Sequence, residues 1–156
     1  MGDRFGIPGL VSLAMVLAAC ASTPPPAPPT RPEGRGQVQV TVTGVTGDKG
    51  QVLVALFLDE RGWPEDEDLA FGAVVLPVDG PEVVAEFADV PAGPFAISVF
   101  HDEDLDRELD TGLFGIPSED YGFSNGARGR FGVPSFEDAR LEIAAGESRT
   151  VTVSIE

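Results

Sequence analysis

The chain has 156 residues, 42% of them apolar, which is enough for one packed domain and too many for wholesale disorder. Nineteen glycines and fourteen prolines favour turns and short elements over long helices. A formal net charge of -16 repels phosphate backbones and excludes nucleic-acid binding, a single cysteine excludes an internal disulfide framework, and a single histidine excludes a His-cluster metal site.

Residues 1–19 read as a secretory signal. Met1-Gly2-Asp3-Arg4 precedes an apolar run from Phe5 to Ala19 that is short for a membrane span and suits an h-region. Leu17-Ala18-Ala19-Cys20 resembles the lipobox of bacterial lipoproteins, which implies acylation of Cys20 as the first mature residue. A multiply acylated cysteine, at about 0.8 kcal/mol per buried methylene, holds a small domain firmly on a membrane. Ala21, in place of Asp, resembles the pattern that passes such proteins on to the outer membrane. Residues 20–36 then form a tether, ASTPPPAPPTRPEGRG after the cysteine, with six prolines and no large apolar side chain. Proline fixes φ and removes a backbone donor, so the tether is expected as polyproline II reaching roughly 50 Å.

Residues 37–156 are the folded domain. Gln37–Thr43 alternates strictly, with Val38, Val40 and Val42 on one face, as in a half-buried strand. Gly44–Gly50 is a turn, and Val52–Leu58 is apolar throughout, as in a central strand. Ala73–Val78, Val83–Phe87 and Phe95–Phe100 read as three more strands, separated by Asp79-Gly80-Pro81 and Val90–Pro94. Leu141/Ile143 and Val151/Val153/Ile155 alternate around Ala145-Gly146-Glu147, which predicts a closing hairpin. Ser135 and Asp138 have the spacing of a helix cap for a single turn. Seven strands of this kind predict an all-β fold, a single antiparallel β-sandwich with a long acidic loop.

Two stretches break the strand rhythm: Asp59–Asp68, which carries the only Trp, and His101–Gly132. Loops this long in a compact domain are commonly functional or held by something. In the second, Asp102, Asp104 and Asp106 match the first, third and fifth ligand positions of a calcium loop, and Asp110 the ninth. Hard oxygen donors at this density suit Ca²⁺, and a cation would offset the repulsion among them; the competing reading is a solvated acidic loop that holds no metal. Arg107 stands where an EF-hand requires glycine and Leu113 where its bidentate Glu belongs, so Glu119 or Asp120 is the candidate closing ligand. Asn125-Gly126 signals a turn, Arg128 and Arg130 are candidates to pair with the acidic loop, and Phe114, Tyr121, Phe123, Phe131 and Phe136 read as a satellite core beneath the loops. His101, by strand parity, shares a face with Phe95, Ile97 and Val99. Beside Asp102, with Ser118 or Ser124 downstream, it also supplies the residue types of a hydrolase, although neither serine sits in a G-x-S-x-G elbow.

The run PAGPFAISVFHDEDLDRELDTGLFGIPSEDYGFSNGARGRFGVPSFEDA, Pro91 to Ala139, resembles the bacterial secreted family called domain of unknown function 2141. Asp104 and Asp106 stand where many relatives have Asn, and Arg107 where Gly is common. The resemblance implies a sandwich similar to transthyretin-like and immunoglobulin-like modules and a place in the cell envelope, and it brings no activity. The expectation is therefore a lipid-anchored module at the periplasmic face of the outer membrane. It would bind an envelope protein or glycan through a Ca²⁺-stabilised loop formed by Asp102, Asp104, Asp106, Asp110 and Glu119, with His101, Tyr121 and Asn125 nearby. The alternative is a hydrolase at His101.

Overall fold

The computed structural model describes residues 31–107, 118–129 and 132–156. Cys20, Asp110, Leu113, Phe114, Arg130 and Phe131 lie outside them, as do the signal and most of the tether. The described strands in chain order are β1 (Arg35–Thr43), β2 (Gln51–Phe57), β3 (Gly72–Pro77), β4 (Glu82–Pro91), β5 (Gly93–Asp102), β6 (Tyr121–Phe123), β7 (Leu141–Ile143) and β8 (Ser148–Ser154). One helical turn, α1 (Phe136–Ala139), follows the capping box formed by Ser135 and Asp138, as the spacing predicts. Among the described residues no helix is long and apolar enough to cross a membrane.

The strands form two sheets. One has the order β4-β1-β8, the other β3-β2-β5-β6, with β7 paired to the first residues of β5. The alternation read from the sequence becomes the space between them: Val38, Val40 and Val42 of β1 meet Val52, Val54 and Leu56 of β2, and Phe95, Ile97 and Val99 of β5. Burying apolar side chains on one face of each strand, at roughly 25 cal/mol per Å², drives the two sheets together.

Three features depart from the sequence reading. The closing hairpin does not form: β7 pairs with β5, while β8 runs parallel to β1, from Gln37↔Ser148 to Thr43↔Ser154. The turn between them is tight, with the Glu147 amide donating to the Ala144 carbonyl at 3.2 Å, yet it carries the chain from one sheet to the other. Alternation reports which face is buried and is silent on the partner strand. Among the described strands the sandwich is accordingly antiparallel except at this one pair. The third departure is β6, a strand inside the stretch read as irregular. Its Gly122 is the residue that hides it, because glycine reads as a turn. Here a Cβ would lie 2.4 Å from the Ser154 carbonyl oxygen, so glycine permits β6 to approach β8 across the gap between sheets.

The outer face of the second sheet is also covered. Leu53, Ala55 and Phe57 of β2 are buried, although they point away from the first sheet. Trp63, from the acidic stretch after β2, lies against Phe57 (ring centroids 5.4 Å apart, 88° between planes), Phe123 (5.6 Å) and Phe136 (5.9 Å). Its indole N–H donates to the Pro134 carbonyl at 2.9 Å. Tyr121, Phe123 and Phe136 thus form the satellite core expected of them, with Trp63 at its centre.

Candidate functional site

The acidic loop grows from the end of β5. Gln51 opens β2 and pairs with Asp102, the last residue of β5, so the two side chains meet at the same end of the sheet. Asp102 is 0% exposed, and its carboxylate accepts four hydrogen bonds. Gln51 Nε2 (2.6 Å) and the Arg107 amide (3.0 Å) donate to Oδ2, and the amides of Leu105 (2.7 Å) and Asp106 (3.2 Å) donate to Oδ1. One buried carboxylate therefore gathers three successive backbone amides and bends the chain around itself. Desolvation is the strongest single influence on this group and pushes its pKa up. The hydrogen bonds from Gln51, Arg107, Leu105 and Asp106 together outweigh it and hold the pKa below the ordinary carboxyl value.

The bend requires left-handed backbone at Leu105 (φ 71) and Arg107 (φ 67). The calcium-loop pattern asks for glycine at position 107 because of this conformation, and here an arginine adopts it, its amide fixed on Asp102. Asp104 Oδ1 accepts from the Asp106 amide at 3.2 Å. As a result Asp102, Asp104 and Asp106 each offer an oxygen within 4.8 Å of the others. Leu105, between the two exposed aspartates, is 60% exposed.

The returning segment is fastened to this bend. Glu119 is buried, and its Oε1 accepts from the Glu103 amide at 2.9 Å. The His101 amide donates to the Asp120 carbonyl (2.8 Å), and Thr46 Oγ donates to Asp120 Oδ2 (2.8 Å). Gly50 lies so close beneath that a Cβ would fall 2.2 Å from the Asp102 carbonyl oxygen. Three loops, 44–50, 102–107 and 118–120, thus converge at one end of the sandwich.

His101 points the other way. It shares the core face with Phe95, Ile97 and Val99, as parity predicts, and is 1% exposed. Nε2 is 2.8 Å from the Lys49 carbonyl oxygen, the geometry of an N–H donating to it, and Nδ1 is buried with no hydrogen-bond partner. His101 and Asp102 occupy opposite faces of β5 and do not form a dyad. Ser124 is buried, donating to the Ala139 carbonyl (2.6 Å) and accepting from the Ile97 amide (2.9 Å), which makes it a tie between β5 and α1.

The remaining candidates lie apart from the bend. Asn125 adopts φ 60 and donates from Nδ2 to the Asp138 carbonyl at 2.9 Å, closing the turn onto α1. Arg128 pairs with Glu156 and with none of the described residues of the acidic loop. Of the five residues proposed as metal ligands, the structure brings Asp102, Asp104 and Asp106 together and fastens Glu119 to the neighbouring amide. Gln51, Thr46 and Gly50 support the site and carried no local signal in the sequence, since their roles come from pairing across 51 and 74 residues.

No match was found among the curated proteins or among the solved structures. One family model does match, over residues 40–152, which is most of the chain and takes in both sheets and the acidic bend. The chain belongs to the family described as uncharacterized protein conserved in bacteria (DUF2141).

Proposed function

We propose that the protein is a lipid-anchored module of the bacterial cell envelope, carried on a Pro-rich tether from Cys20, and that its acidic bend takes Ca²⁺ to stiffen a surface used for binding. The observation that supports this reading is the gathering of Asp102, Asp104 and Asp106 oxygens within 4.8 Å at the end of a rigid strand. Asp104 and Asp106 are the exposed donors. Asp102 shapes the bend through its four N–H donors, and Glu119 and Asp110 complete the set of candidate ligands. Hard carboxylate oxygens favour Ca²⁺, with the weak affinity of extracellular sites, a dissociation constant on the order of 0.1–1 mM.

Calcium titration followed by thermal melting tests it. At about 10 mM Ca²⁺ a site of that affinity adds about 1.4–2.7 kcal/mol, a rise of several degrees. Asp104→Ala, an exposed substitution, is expected to abolish the rise while leaving the metal-free melting temperature nearly unchanged. An unchanged melting temperature in the native chain would remove the metal from the account. For the anchor, Cys20→Ser is expected to move the protein from the membrane fraction to the soluble one. The alternative hydrolase at His101 draws no support from the geometry, because the imidazole is enclosed in the core and turned away from the carboxylates.

A further inference from the structure

The last residues before β1 are built into the fold. The Arg31 guanidinium reaches back across the domain, with Nη1 donating to the Leu58 carbonyl (3.2 Å) and Nη2 to the carbonyls of Pro91 (3.1 Å) and Pro94. These three carbonyls lie just after β2, at the end of β4 and at the start of β5. A planar fork with several donors suits such a cradle better than a lysine ammonium would. Burial lowers the basicity of this guanidinium, and Glu142 and Asp59 act in the opposite sense.

The groove beneath is shaped for this strap. Gly93 sits at φ +119, and a Cβ there would lie 3.2 Å from both Arg31 Cγ and Pro32 Cδ. The Ala92 amide donates to the Gly34 carbonyl at 2.9 Å. Gly34, at φ +115, leaves no room for a Cβ against Ala145. Arg35 closes the strap by donating to the Asp89 carbonyl at 2.8 Å. Contacts to the domain are thus made as early as Arg31, several residues before the alternation that marks β1.

β5 connects this strap to the acidic bend. Its first residue, Gly93, lies under Arg31, and its last, Asp102, holds the bend. Ten extended residues at about 3.3 Å each place the two at opposite ends of the sandwich, on the order of 30 Å apart.

We infer that Arg31–Arg35 is a clamp that fixes the pose of the domain on its tether, turning the acidic end away from the anchored end, where it meets its partner. The clamp itself stands on the geometry, whereas the outward pose rests on the lipid-anchor reading. Without the clamp the chain would pivot just ahead of β1, and the domain would be presented in more than one orientation.

Hydrogen exchange on the full-length chain tests the clamp. Arg31→Ala and Gly93→Ala are each expected to speed exchange at the Ala92 amide by about tenfold or more, with amides of Val54 and Val40 unaffected. Equal Ala92 exchange in the native chain and both variants would overturn it. The pose is read on vesicles of phosphatidylethanolamine and phosphatidylglycerol carrying a headgroup energy acceptor, with a donor dye on Lys49, the only lysine and a neighbour of the acidic bend. Energy transfer is expected to be low in the native chain and higher in Arg31→Ala. Equal transfer in the two overturns the outward pose. Failure of the acylated chain to join the vesicles overturns the anchor instead, with the exchange result still deciding the clamp.

Discussion

Replacing Trp63 with alanine is expected to destabilise the domain by about 3–5 kcal/mol, the range for a large aromatic removed from a packed site. The loss follows from what the indole touches. It holds three rings, Phe57 from β2, Phe123 from β6 and Phe136 from α1, and through its N–H the Pro134 carbonyl. Without it the outer face of the second sheet opens, and the segment from β6 to α1 loses the residue that joins it to β2. Urea unfolding measures the change in midpoint, and near-ultraviolet circular dichroism reports the rings. Arg61→Ala, in the same stretch, provides the contrast. Its pair with Asp59 involves a side chain 81% exposed, and solvent screens such pairs so strongly that they contribute little. A small effect at Trp63, comparable with that at Arg61, would show that the satellite core adds little to the fold.

The second large effect is expected at Asp102. Asp102→Ala leaves Gln51 and the amides of Leu105 and Arg107 without their acceptor, the Asp106 amide keeping Asp104, and losing a buried charged acceptor costs about 3 kcal/mol. The same carboxylate makes stability depend on pH. Its folded pKa is held below the ordinary value of about 4, so its contribution is fully present above that pH. The contribution is lost as the pH falls from about 4 through the lower folded pKa. In chelator-treated buffer the native chain is therefore expected to lose melting temperature steeply below about pH 4, and Asp102→Ala to lose less over the same interval. Parallel curves for the two proteins would mean that some other carboxylate governs acid unfolding.

These two residues mark what was and was not legible in the sequence. The half-buried strands were legible, because a period of two in Val38, Val40 and Val42 has one physical meaning at any partner distance. The acidic bend was legible as spacing, since Asp102, Asp104 and Asp106 lie within five residues of one another and their convergence is a local matter. Strand partners were not. Leu141–Ile143 and Ser148–Ser154 looked like two arms of one hairpin because a short turn joins them, and only the whole fold reveals that they lie in different sheets. The left-handed Arg107 was equally hidden. Its conformation is enforced by an acceptor at Asp102 that is itself stabilised from Gln51, far away in the chain. The strap at Arg31 was concealed by the prolines around it, which read as tether even where Gly93 leaves space to receive them.

The parallel pairing of β1 with β8 has a kinetic consequence. β1 is the central strand of its sheet, and one of its two neighbours is the last strand described, more than a hundred residues away in sequence. Contacts of such separation form late, since the chain must be complete before the loop can close. A nascent chain lacking β8 carries Val38, Val40 and Val42 on a sheet missing one side and the cover of Val151 and Val153. Native pairing of this sheet therefore waits until the last described strand has been made and can close against the first.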